Sequence, residues 1–118
     1  MSTLNIVNPA NDEHIVDVPT DDAASVAAKF AQAQAAQPRW AATSLDERKA
    51  CLVRFRALLA ARVASLAHTL TSEMGKPIKQ ARNEINGLLG RIDFFLDKVH
   101  SATRNEIVMN EGGMTERT

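Results

Sequence analysis

The sequence has no tyrosine, one tryptophan, one cysteine and three histidines in 118 residues. A single thiol excludes an internal disulfide framework, and with three scattered histidines it does not supply the close-spaced four-ligand set of a structural zinc site. This cysteine usage suits a reducing compartment, and we expect a cytoplasmic protein. An excess of one charge is also missing. Fourteen Lys and Arg balance fourteen Asp and Glu, for a formal net charge of +0, so no basic footprint points to nucleic acid or to an anionic membrane. Charged residues interrupt every long apolar stretch, and residues 1–12 have neither the basic nor the apolar region of a signal peptide, so no membrane span or export is expected. What is present is ordinary globular usage, 45% hydrophobic and 24% charged. At this length it fits one small domain or a piece of a larger one.

The local pattern predicts a mainly α chain, with three to four amphipathic helices behind an N-terminal β-hairpin. Two short apolar runs, residues 4–7 and 14–18, flank Asn8-Pro9-Ala10-Asn11-Asp12-Glu13. Pro9 presets a turn there, and Asn11 or Asp12 tolerates the left-handed conformation that closes it. Such a hairpin is marginal alone, so its apolar face must lean on helix. Thr20 and Asp21 offer N-cap chemistry for an Ala-rich helix with the stripe Ala23, Val26, Ala27 and Phe30, expected to end near Gln37 because Pro38 follows. Ser44-Leu45-Asp46-Glu47 spells a capping box. From it Leu52, Phe55, Leu59, Val63, Leu66, Leu70 and Met74 recur at steps of three and four, with room for a break at residues 62–65. Gly75 suits a left-handed C-cap, and Pro77 suits the start of the next helix.

That last helix carries a seam of Ile78, Ala81, Ile85, Leu88, Ile92, Phe95 and Val99, more suited to a core than to a zipper. Gly87 and Gly90 each weaken a helix interior by about 1 kcal/mol, which suggests a close helix crossing. We divide the chain into residues 1–102, the hairpin and helical layer, and residues 103–118, a loop or tail with a short strand at Ile107-Val108-Met109.

Chemistry is thin along this chain. Cys51 lies one turn into a helix, near Arg48 and Arg54, where cations could lower its pKa. A free cysteine on a helix nevertheless behaves most often as a small core residue. His14, His68 and His100 have no ligand-type partner at helical spacing. Gly75-Lys76 fails as a phosphate loop, with Leu70 where glycine is required and Pro77 where a hydroxyl should follow. Glu73 and Glu84 are not aimed at one substrate by their spacing. Trp40 suits a core anchor better than a stacking platform. No catalytic set assembles.

Taken in order, several segments nevertheless resemble the opening of the NAD(P)-dependent aldehyde dehydrogenase superfamily. Asn8-Pro9-Ala10 with Glu13 and an apolar strand is similar to its N-P-A-T-G-E pattern, with Asn11-Asp12 in place of T-G. Trp40 at the end of an Ala-rich helix, Ser44-Leu45-Asp46-Glu47-Arg48, Glu73-Met74-Gly75-Lys76-Pro77, Ala81-Arg82-Asn83-Glu84-Ile85 and Met114-Thr115-Glu116-Arg117 follow in the family's order. Glu-Met-Gly-Lys-Pro and the short N-terminus resemble the succinate-semialdehyde dehydrogenase branch. The resemblance implies a helical layer with a structural role beside the cofactor fold, and places Thr118 just short of the Rossmann-like strand.

The family's chemistry, a cysteine thiolate attacking the aldehyde, hydride transfer to nicotinamide and glutamate-assisted hydrolysis, then falls outside these residues. Cys51 does not correspond to the nucleophile. No catalytic or cofactor-binding residue is therefore expected here; NAD or NADP belongs to the complete enzyme. The resemblance also maps a monovalent-cation site to the Val7 carbonyl and Glu84, against the plainer reading of Glu84 as a salt-bridge acid. Two readings follow: an N-terminal fragment or truncated form of an aldehyde dehydrogenase, inactive alone and partnered by the rest of that enzyme, or a self-contained helical interaction module. We also expect self-association through surface left open around Ile85, Leu88, Ile92, Phe95 and Leu96.

Overall fold

The computed structural model describes residues 2–117. Strands β1 (Thr3–Val7) and β2 (His14–Pro19) pair antiparallel, Leu4 opposite Val18 and Ile6 opposite Val16. The turn closes as its residue types require. The Asn8 side chain accepts from the Ala10 amide at 3.0 Å, and the Asn8 carbonyl accepts from the Asp12 amide at 2.8 Å. Asp12 takes the left-handed conformation, φ 59°.

Helix α1 (Ala23–Ala42) starts on a capping box one residue later than expected: Asp22 accepts from the Ser25 amide at 2.8 Å, and Ser25 Oγ accepts from the Asp22 amide at 2.9 Å. Thr20 is used elsewhere, its amide donating to the Ser2 carbonyl to tie the open end of the hairpin. The expected end at Gln37 is corrected, because the helix runs through Pro38 for another turn. Proline removes one donor, the one that would reach the Gln34 carbonyl. On so exposed a helix water can serve that carbonyl, and Thr43 closes the final turn, its amide donating to Trp40 and its hydroxyl to Arg39.

Helices α2 (Leu45–Ala61) and α3 (Val63–Met74) are separated by a break at Arg62, φ −118° and ψ 14°, inside the expected window. The Ser44–Glu47 capping box is present as read from the sequence. Gly75 caps α3 at φ 68°, and Pro77 precedes α4 (Ile78–Ala102). Beyond α4 the expected loop or tail is corrected over most of its length: β3 (Ile107–Glu111) and β4 (Met114–Arg117) form a second antiparallel hairpin. Gly112 and Gly113, both at positive φ, make its tight turn.

Helix α4 packs on α2 and α3. Ala81 is buried, and Ile85, Leu89, Ile92, Leu96 and Val99 are half-buried along the same face. This face differs from the expected seam. Leu89 and Leu96 replace Leu88 and Phe95, which stay 41% and 57% exposed. The expected close crossing at Gly87 and Gly90 is also corrected, since a Cβ at either would meet nothing within 4 Å.

No closed core forms among the described residues. Only Ala67 and Ala81 are buried, and the hairpin β3–β4 is exposed throughout. The surface is 9418 Å² where a folded chain of 12.9 kDa exposes about 6,300 Å². The radius of gyration is 21.2 Å, against about 13–14 Å for a compact domain of this length.

Candidate functional site

The best-fixed junction lies where the Asn8-Pro9 turn meets the α3–α4 connection. A Cβ on Gly75 would stand 3.1 Å from Pro9 Cγ, tighter than an ordinary contact, and φ 68° is a conformation that disfavours any side chain there. Beside it Lys76 donates to Glu84 on the second turn of α4. Glu84 is thus engaged by a fixed ammonium of its own chain. Val7, the other residue mapped to a monovalent cation, ends β1 opposite His14.

This junction does not fit a nucleotide phosphate. Gly75 serves as a helix C-cap, Lys76 is paired with a carboxylate, and Pro77 brings no N–H to the start of α4. No step of cofactor chemistry can be assigned to it.

A second feature is a largely apolar cavity of about 260 Å³ between the end of α1, the start of α2 and the last turns of α4. Trp40, Leu45, Leu52, Phe95, Leu96 and Val99 line it, with Arg48, Lys49 and Cys51 at its wall. Cys51 is half-buried there and accepts from Arg54 Nη2 at 3.1 Å. Arg54 cannot act as a base, so this pair is no nucleophile–base couple. Trp40 is found at the cavity and half exposed, not as an enclosed anchor.

A third feature was not legible in the sequence. His14 from β2 and His68 from α3 line one cleft together with Glu13 and Glu73, which brings residues 54 positions apart to one place. Each histidine has a polar neighbour of its own: His14 lies 3.2 Å from Asp17, and His68 Nδ1 lies 3.5 Å from the Ser72 hydroxyl. No group of three or more His, Cys, Asp or Glu able to hold a metal occurs among the described residues. His100 pairs instead with Asp46 at 3.0 Å, joining the end of α4 to the start of α2.

The charged pairs are structural. Arg56 grips Asp93 with both ends of its fork, at 2.5 and 2.7 Å, and this hydrogen bonding holds the Asp93 carboxyl below the usual carboxylate range. The Lys29 ammonium lowers Asp21 in the same way, and the Ser25 amide lowers Asp22. Glu47 is lowered by the Ser44 hydroxyl and amide of its capping box. No helix is long and apolar enough to cross a membrane among the described residues.

Comparison with known proteins gives this arrangement its context. Residues 1–118 match the model of the Aldehyde dehydrogenase family. The chain is 31% identical over 110 residues to a 3,6-anhydro-alpha-L-galactose dehydrogenase of Streptomyces coelicolor, covering 93% of this chain and 22% of that protein. It is 35% identical over 96 residues to an N-succinylglutamate 5-semialdehyde dehydrogenase of Escherichia coli K12, covering 81% and 20%. The crystal structure of a succinate-semialdehyde dehydrogenase from Burkholderia pseudomallei superposes with a TM-score of 0.84 at 31% identity, over 93% of this chain and 23% of that one. The chain therefore spans about a fifth of the length of the curated relatives it matches.

Proposed function

Because this chain belongs to the aldehyde dehydrogenase family, we propose that it serves as the hairpin-and-helix layer of an NAD(P)-dependent enzyme that oxidises an aldehyde to a carboxylic acid. Its role there is structural, and it carries out no catalysis alone. The observation that carries this reading is the unclosed core. A chain exposing 9418 Å², with two buried residues among those described, has apolar faces built to be covered by neighbouring structure.

Residues 1–102 form that layer, and residues 103–118, with the β3–β4 hairpin, lead toward the fold that binds NAD or NADP. The soluble interior of the cell, the cytoplasm, is its place of work. Two of the relatives compared above are named for semialdehydes and one for an anhydro sugar, in keeping with a layer that is shared while substrate choice is made elsewhere. In the complete enzyme a monovalent cation held by the Val7 carbonyl and Glu84 would have to displace the Lys76 ammonium, so the cation and that ion pair are alternatives.

Two measurements test the reading. The chain alone, given NAD or NADP and a panel of aldehydes, is expected to reduce no nicotinamide and to show no saturable binding by calorimetry. Co-expressed with a family enzyme stripped of its own corresponding segment, it is expected to restore aldehyde-dependent reduction. Turnover or saturable cofactor binding by the chain alone overturns the proposal.

A further inference from the structure

We propose that the cavity between α1, α2 and α4 binds the aliphatic chain of a monocarboxylic acid of about six to ten carbons, its carboxylate held at the wall by the Arg48 guanidinium and the Lys49 ammonium. The space is bounded by three helices of this one chain. The proposal therefore concerns an interior, not the outer faces left to neighbouring structure, and it does not depend on the family reading.

The two halves of such a ligand answer to two separate observations. Inside, Trp40, Leu52, Phe95 and Val99 offer carbon surface around about 260 Å³, just under the roughly 300–1,000 Å³ of sites for drug-sized ligands. One short unbranched chain suits that space. At the wall stand two cations and no acid. The Arg48 side chain has no hydrogen-bonding or ionic partner among the described residues, and its Nε is shut off from solvent with nothing to donate to. Buried donors are almost always paired in native structures, so one left unpaired calls for an explanation. The acids closest along the chain are engaged elsewhere: Asp46 with His100 at 3.0 Å, Glu47 in its capping box, and Asp97 with Lys98 at 2.8 Å, feeling Lys49 only more weakly. A guanidinium drawn against an apolar wall without a counter-charge is suited to a carboxylate, which its terminal amino groups can meet as a fork. A second carboxylate at the far end of the ligand would be set among Leu52, Phe95 and Val99 with no partner, so diacids are rejected.

Trp40 is the sole tryptophan of a chain without tyrosine, and it is half exposed at this cavity, so intrinsic fluorescence reports on the site directly. Titrating the chain with octanoate is expected to move Trp40 emission to shorter wavelength and to saturate. From hexanoate to octanoate, affinity is expected to rise about three- to four-fold per methylene. Octanol, which lacks the charge, and octanedioate, which carries a second one, are each expected to bind at least about tenfold more weakly. Arg48→Gln is expected to weaken octanoate about 10- to 100-fold, with octanol binding and circular dichroism unchanged, and Arg48→Lys to recover part of the loss. The ligand series is read on the parent chain, so it decides the matter even if a variant disturbs folding. No saturable response to octanoate, equal affinity for octanoate and either octanol or octanedioate, or undiminished octanoate binding by folded Arg48→Gln overturns the proposal.

Discussion

Helix α1 and the α2–α3–α4 unit are equally well specified by local chemistry and very differently held by packing. Both begin on capping boxes, Asp22–Ser25 and Ser44–Glu47. Only the second continues into a packed unit, with buried Ala67 and Ala81 where α3 and α4 carry their most enclosed residues, and with Arg56–Asp93 and His100–Asp46 tying α2 to α4. A cap decides where a helix starts; a neighbour decides whether it is stabilised by tertiary structure. Stability should therefore be uneven along this chain, with α1 opening before the three-helix unit.

The strongest way to break this contrast is to overfill the packed unit. Ala67→Leu inserts a large side chain at a position with no exposed surface and is expected to cost about 1–3 kcal/mol. Thermal melting should show the α2–α4 signal falling while hydrogen exchange in α1 is unchanged. An equal change in both regions would mean that they form one cooperative unit.

The two caps sharpen the comparison at an intermediate scale. Ser44→Ala and Asp22→Ala each remove a capping side chain worth about 1 kcal/mol. The first is expected to lower the melting temperature of the three-helix unit. The second should only speed amide exchange in the first turns of α1.

Smaller still, Gly87→Ala and Gly90→Ala add a Cβ into open space on α4. Each should stabilise that helix by about 0.5–1 kcal/mol, visible as a higher denaturation midpoint with an unchanged slope. Loss of stability would instead reveal a neighbour lying against that face.

The smallest expected effect is in acid. Asp93, Asp21 and Asp22 have carboxyl groups lowered in the folded chain, by Arg56, Lys29 and the Ser25 amide respectively. A lowered folded value means a contribution fully present above the unfolded value of about 3.9 and lost as pH falls through the folded one. Acid titration should weaken both regions below about pH 4, and Asp93→Asn should flatten that loss in the α2–α4 unit alone.

Features governed by a few neighbouring residues were legible in the sequence. The hairpin with its left-handed Asp12, the Ser44–Glu47 box and the Gly75 cap follow from side chains that bond to their own backbone. The end of α1 is not readable from Pro38, because a missing N–H matters less on an exposed helix than in a packed one. The packed face of α4 lies one residue from the seam at Leu88 and Phe95, since a seam of perfect steps does not reveal which flank the partner helices cover. Of the second hairpin the sequence shows only the strand at Ile107–Met109. Its β4 strand, Met-Thr-Glu-Arg, has little apolar alternation, and Gly112-Gly113 reads equally as a loop. At the candidate site, the pairing of Glu84 with Lys76 and the meeting of His14 with His68 depend on how α3, α4 and β2 are juxtaposed, which no local spacing encodes.

The approach of Pro9 to Gly75 has a consequence for sequence change. Gly75 ends α3 in the left-handed conformation, and Pro9 of the first hairpin lies over the side where a Cβ would stand. A bend and a hairpin turn thus share one small residue, so any side chain added at Gly75 would be opposed twice, by the backbone angle of the bend and by the Pro9 ring.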